Sequence, residues 1–375
     1  MNSTSPACDV FVAGLGVMGS AAAHALARAG LHVVACDERI PPHDRGSSHG
    51  ESRIIRAAYF EHPLYAPLAR RAAELWRGLE QECGRSLLRI TGGLNIGPVD
   101  GTLVSGALAS ARQHAIPHEV LSATQLSERF PGLRVRSSDV AVFEPDAGIL
   151  NPEECVAAQL DAARRAGAEL HLAEPLVNWR RTGTGFRIDT AAGSYRADTL
   201  VLALGPWLPA FRARLPLQVA RQAVFWFAPA TPQLYTPDRL PHYLIEFEPN
   251  RVFYGFPDLG SGVKCAIHHE GERTTPDLVD RTMRSAEYAA VSELVARFLP
   301  GALGELRRFS VCLYTNTPDL HFLLDQDRDE AGVWLMSACS GHGFKFAPAV
   351  AELLVESITN TGRPVPELFA ASRLA

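Results

Sequence analysis

The chain has 375 residues, 47% of them hydrophobic and 21% charged, with a net charge of −5. Such a chain folds as one large or two ordinary domains, which excludes a disordered protein and a general nucleic-acid binder, whose surface would carry a basic surplus. No apolar run reaches the roughly 18 residues of a membrane span, and seven single cysteines without metal-ligand spacing indicate neither a disulfide framework nor a metal site.

The first 16 residues, MNSTSPACDVFVAGLG, have no basic leader region and run straight into a strand, so no signal peptide is expected. The final Ala375 spoils a peroxisomal tripeptide. A reducing compartment, the cytoplasm, is the expected location. The basic residues are 34 Arg and only two Lys, Lys264 and Lys345. A GC-rich gene explains why lysine is scarce. The two that remain are candidates for sites where a compact ammonium serves and a planar guanidinium does not.

In chain order, Val10, Phe11, Val12 and Ala13 form an apolar run suited to a buried parallel strand. Gly14, Gly16 and Gly19 follow as GxGxxG. Residues 20–29 are Ala-rich and helix-forming, with Gly30 as the stop. Residues 32–36 read as a second strand, ending at Asp37. Each part has a physical use in dinucleotide binding. Gly14 permits the tight turn, Gly16 lets the backbone approach a pyrophosphate, and Gly19 lets helix pack on strand. The helix N-terminus faces the phosphates, and Asp37 takes ribose hydroxyls. The motif does not separate NAD from FAD, and the acid disfavours NADP.

A Gly- and Ser-rich loop then leads to His49, Ser52, Arg53 and Arg56. The i, i+3 spacing of the two arginines predicts one helical face, suited to a carboxylate or an anionic flavin. Residues 185–190 and 193–196 alternate around a turn and read as a hairpin. Residues 198–205 form an apolar strand entering a Gly-Pro turn at Gly205, expected to rejoin the first sheet. Residues 332–336 are another buried strand, followed by a Gly-rich loop through Gly341 and Gly343 and a helix over 346–359. Alternating and aromatic strands fill 86–144 and 216–309. Lys264 and His268, four apart in a strand, share one face. Taken alone, Cys312 is a small buried hydrophobe in an apolar strand.

The segment PPHDRGSSHGESRIIRAAY resembles the flavin-contacting stretch of the monomeric sarcosine oxidase and N-methyltryptophan oxidase family. The likeness continues through Glu144-Pro145-Asp146-Ala147-Gly148, Leu204-Gly205-Pro206-Trp207, Tyr254-Gly255-Phe256-Pro257, Val311-Cys312-Leu313-Tyr314-Thr315 and Gly341-His342-Gly343-Phe344-Lys345-Phe346. It implies the D-amino-acid-oxidase-like fold. This is an α/β chain whose Rossmann-like FAD-binding domain is discontinuous over 8–85, 145–215 and 310–375. A mostly antiparallel β-sheet substrate domain would span 86–144 and 216–309.

The resemblance also implies roles. FAD is attached covalently through Cys312, and Lys264 assists reaction with O2 by stabilising developing superoxide. Arg56 and Lys345 hold the substrate carboxylate, since a buried carboxylate must be paired. His268 and Tyr254 line the substrate, and Arg53 tunes the flavin ring as a further catalytic residue. His49, Ser52, Tyr314, Phe344 and Lys345 lie on the cofactor side with Gly205, Gly341 and Gly343. The implied enzyme is a monomer acting on a small secondary amino acid and O2, with no metal, nucleic-acid or membrane partner. It oxidises the C–N bond to an imine and releases hydrogen peroxide. The alternatives are a flavin dehydrogenase, or an imino-acid oxidase of a biosynthetic pathway; from another class, a non-catalytic flavin-binding protein would have little use for Arg56, Lys345 and Lys264 together. The chain departs from the family pattern at Ser48 and at Ser52, which replaces a common Thr. These departures bear on which amine is accepted.

Overall fold

In the computed structural model, described over residues 7–362 and 364–374, the apolar run becomes the strand Ala7–Ala13 at the centre of an eight-stranded sheet. The N-terminal stretch read for a leader, before residue 7, and the terminal Ala375 lie outside the described residues. Ala7–Ala13 pairs in parallel with Ser194–Leu202 on one side and Val33–Asp37 on the other. Glu169–Leu172 and Val333–Ser337 extend the parallel set outward. Both faces of these strands are buried. Val10 and Val12 meet one hydrophobic cluster, and Phe11 and Ala13 meet another. That is why they read as continuous rather than alternating runs.

On the first face, the helices Val17–Arg28, Pro152–Arg165 and Ala347–Thr359 pack together. Val17–Arg28 is buried along most of its length, and its alanines let its neighbours approach closely. This helix begins earlier than the reading from residue 20, because Gly16 already supplies its extended N-cap.

The predicted hairpin is present, with Gly185–Thr190 antiparallel to the start of Ser194–Leu202. Its second arm and the strand expected at 198–205 are one continuous nine-residue strand. No Gly or Pro interrupts it, so the chain passes without a break from antiparallel to parallel pairing.

A nine-stranded sheet forms the second layer and is antiparallel at every pairing except Gly93–Pro98 with His242–Glu248. Its core gathers Phe225, Phe227, Tyr243, Phe253 and Phe298. Leu306–Asn316 pairs with Gln218–Phe227 along its length, so the boundary drawn at 310 falls inside a strand of this sheet.

One local expectation is corrected. Arg53 and Arg56 do not share a helical face. Arg53–Ile55 is a strand, antiparallel to Gly148–Leu150. The β-branched pair Ile54–Ile55 favours extended backbone, and partner strands supply its hydrogen bonds.

Candidate active site

The glycines build the first turn by what they leave out. Gly14 has φ +89°, and a Cβ there would lie 2.5 Å from the Ala203 carbonyl oxygen. At Gly19 a Cβ would lie 1.7 Å from the Gly14 oxygen. Gly16 caps the helix without a side chain, and the Val17 N–H donates to Ser48 Oγ at 3.1 Å. Asp37 accepts the N–H of Leu15 at 2.6 Å and of Arg39 at 2.8 Å, so it tethers the glycine turn while facing the same space. Gly205 opens the short turn Gly205–Trp207 opposite.

These groups border one cleft of about 2030 Å³, counting its mouth, that continues to Arg56, His268 and Lys345. Midway lies His49, buried, with no partner for either ring nitrogen. Burial, then the charges of Arg53 and Lys264, push its pKa down to about 3, so the ring is neutral. Arg53 donates to the Ser47 and Ser52 carbonyls at 2.7 and 2.8 Å, and its Nη2 lies 3.7 Å from Cys312 Sγ. Its guanidinium sits 5.6 Å from the Phe344 ring centre, and Phe344 stacks on Trp76 at 6.2 Å. Gly343 lets the loop fold tightly, since a Cβ would lie 1.7 Å from the Ala338 oxygen.

Lys264, on the strand Val263–Ile267, is 4% exposed. Its Nζ donates to the Gly50 carbonyl at 2.7 Å, and to the Ser52 carbonyl and hydroxyl at 3.0 Å each. All three ammonium donors are thus taken. Trp226 and Phe256 present ring faces 5.3 and 4.8 Å away. Burial, then the Arg53 charge, hold its pKa well below the usual lysine range.

At the far end, Arg56 is not an open fork. Its Nη1 donates to the Ala58 carbonyl at 2.6 Å, and its Nη2 donates to both carboxylate oxygens of Glu61 at 3.1 Å. Burial alone would push the Glu61 carboxyl up, but Arg56, with His342 and Lys345, outweighs it and holds Glu61 low. Lys345 Nζ donates to Tyr59 Oη at 3.0 Å and to the His342 carbonyl at 2.9 Å, which leaves one donor. Burial, then the neighbouring Arg56, lower its pKa to about 7. His268 Nδ1 lies 3.2 Å from Tyr314 Oη, with Tyr254 edge-on at 6.0 Å between ring centres. Burial, then His269, depress His268 far below the usual histidine range, so this wall is neutral and aromatic. A Cβ at Gly341 would lie 2.6 Å from the Tyr314 ring and 2.8 Å from His268.

Every candidate residue named from the sequence except the buried Gly19 borders this cleft, and Gly19 shapes its turn. Glu61, Tyr59, His342, Ser48 and Glu153 were not among them. Glu61 left a faint trace, an acid five residues after Arg56 in a largely apolar stretch. Glu153 left none, because only the fold brings its helix to Gly50. Among the described residues no helix is long and apolar enough to cross a membrane. No group of three or more His, Cys, Asp or Glu among them could hold a metal.

A family model described as FAD dependent oxidoreductase matches residues 9–357. Monomeric sarcosine oxidase of Streptomyces avermitilis is 39% identical, with 99% of each chain covered. N-methyl-L-tryptophan oxidase of Yersinia pestis is 33% identical, with 98% of each covered. Among solved structures, NikD, described as an unusual amino acid oxidase essential for nikkomycin biosynthesis, matches with a TM-score of 0.84 at 26% identity, covering 99% of this chain and 98% of that one. L-proline dehydrogenase from P. horikoshii matches with a TM-score of 0.85 at 21% identity, over 99% and 98%, a likeness of fold.

Proposed function

The chain belongs to the FAD dependent oxidoreductase family, and from that premise we propose that it oxidises the C–N bond of a secondary amino acid, sarcosine or another N-methyl or cyclic amino acid. The products are the imine, which water hydrolyses, and hydrogen peroxide. The balance is simple: the amine loses two electrons and two protons, and dioxygen gains them. One observation carries this reading. A single cleft joins a dinucleotide cradle, past the unpartnered ring of His49 and past Cys312, to the buried cations Lys264, Arg56 and Lys345.

The residues present fit FAD. Gly14, Gly16 and the N-terminus of Val17–Arg28 suit the pyrophosphate, and Asp37 suits the ribose. The two free ring nitrogens of buried His49 await a polar partner that the protein does not supply. Cys312 is proposed to carry the flavin as a thioether. Bound FAD supplies the two-electron acceptor for the amine and the donor to dioxygen. In this reading the sheet with the parallel centre carries the cofactor, and the nine-stranded sheet roofs the substrate. The protein acts as a monomer in the cytoplasm.

The protein's own part is placement and charge. Lys345 offers its remaining donor to the substrate carboxylate. Arg56 offers its fork once that carboxylate displaces Glu61. Neutral His268, with Tyr254 and Tyr314, surrounds the amine without adding charge, which favours the unprotonated amine. Lys264 is a fixed cation, every donor engaged, and an anion forming on dioxygen beside it stabilises a charge that burial otherwise disfavours.

Peroxide release from the purified flavoprotein, across sarcosine, N-methyl amino acids, pipecolate and proline, tests the reaction. Release with at least one of them is expected, and none with any would refute it. Acid precipitation tests the linkage. The yellow colour should stay with the pellet and leave it in Cys312→Ser; a colourless wild-type pellet contradicts the thioether.

A further inference from the structure

The turn that holds Lys264 is itself held from behind. Gly50 has φ +97° and Glu51 has φ +66°, so two successive residues are left-handed and the second is not glycine. Both of their N–H groups donate to one carboxylate, Glu153. Gly50 N lies 2.6 Å from Oε1, and Glu51 N lies 3.1 and 3.3 Å from the two oxygens. Consecutive N–H groups arranged in this way form an anion-binding concavity. On the other side of the turn, the Gly50 and Ser52 carbonyls accept from Lys264 Nζ. Carboxylate and ammonium therefore meet on one shared peptide, Gly50–Glu51, whose N–H serves Glu153 and whose carbonyl serves Lys264.

Locally the turn has one bond of its own, from the Ser52 N–H to the Gly50 carbonyl at 2.8 Å, which closes it tightly around Glu51. Left-handed backbone at a residue with a Cβ is strained and persists only where its surroundings impose it. The side chain of Glu51 does not impose it, being engaged by Arg308 and by Ser261 Oγ at 3.1 Å. Glu153 does. It lies in the first turn of Pro152–Arg165, where the helix dipole favours a carboxylate and rigid packing fixes its place.

We propose that Glu153 is the positioning residue for Lys264, clamping the Gly50–Ser52 turn so that its carbonyls hold the ammonium in one place beside the cofactor. This rests on reading Lys264 as the cation that serves dioxygen. Glu153 touches neither substrate nor Lys264 Nζ and acts through the peptides between them. The charged or titratable groups around Lys264 are Arg53, His49, Cys312, Glu153 and Glu51; Arg53 disfavours its protonated form, and Cys312, Glu153 and Glu51 favour it.

The composition makes the test clean, because Lys264 and Lys345 are the only lysines. Lysine-selective 13C labelling of the holoenzyme gives one Cε signal for each, assigned with Lys264→Met. In Glu153→Gln the Lys264 signal should move, with its titration midpoint lowered by on the order of one pH unit. Reoxidation of the reduced enzyme by oxygen should slow about tenfold, while reduction by substrate changes less than about twofold. The Lys345 signal in the same spectrum checks that the fold is intact. Glu153→Asp, which keeps the charge, should displace the Lys264 signal less. A Lys264 signal that superimposes on wild type in Glu153→Gln overturns the proposal. If the signal moves but reoxidation is untouched in both Glu153→Gln and Lys264→Met, the clamp stands and the dioxygen role of Lys264 falls.

Discussion

Lys264 and Lys345 are both buried ammonium groups, yet their hydrogen bonds set them apart. Lys264 spends all three donors on the protein, and Lys345 keeps one. The first suits a fixed charge and the second a ligand. Lys345 also titrates in a useful range. With its pKa lowered to about 7, it is charged below that pH and neutral above it. Its attraction for a carboxylate is therefore present at low pH and lost as pH rises through about 7. Measured between about pH 6 and pH 8, KM for a carboxylate-bearing substrate should rise more in wild type than in Lys345→Met. Parallel profiles would contradict the assignment. Glu61 makes the opposite contribution, because it already occupies the fork of Arg56. Glu61→Gln should lower KM by roughly tenfold, the equivalent of about 1.4 kcal/mol, and an unchanged KM would show that the fork is not used. The two lysines were legible in the sequence, since rarity and motif both marked them. Their partners were legible only in part: Ser52 was named beside the cofactor, and His342 lies three residues before Lys345, but Tyr59 reaches Lys345 across 286 residues, a separation that no local pattern encodes.

At the scale of elements, the legible parts were those set by local sterics. GxGxxG between an apolar run and an acid has few structural solutions, and Gly14, Gly19 and Gly343 each sit where a Cβ would enter backbone. Gly19→Ala should therefore separate the Val17–Arg28 helix from its strand, destabilising the protein by roughly 1–3 kcal/mol or more. The flavin-to-protein absorbance ratio and Tm should both fall, and wild-type values of both would count against the cradle. The illegible parts were those set by pairing partners. The i, i+3 spacing of Arg53 and Arg56 fitted a helix, but Gly148–Leu150 and Leu88–Ile90 complete a small three-stranded sheet there. Likewise, the short run around Cys312 reads as an apolar strand, and only the register of Leu306–Asn316 against Gln218–Phe227 assigns it to the nine-stranded sheet.

Across the whole molecule, the glycine cradle and the cleft's aromatic wall belong to different layers. The cradle comes from the parallel centre of one sheet. Lys264, His268 and Tyr254 come from strands of the other or from its edge. Residues 41–56 bridge the two, carrying Ser48 to the helix cap, His49 to the middle of the cleft and Gly50 to Lys264. That bridge explains why the longest motif in the chain is a loop: it is shaped by both layers at once. The central claim is that an amine is oxidised here while its carboxylate is held by Lys345 and Arg56. The most direct measurement mixes the flavoprotein anaerobically with a carboxylate-bearing secondary amine and, separately, with the same amine lacking its carboxylate, while flavin absorbance is followed. The first should bleach the flavin, and the second should do so far more slowly. Equal bleaching by both would contradict it.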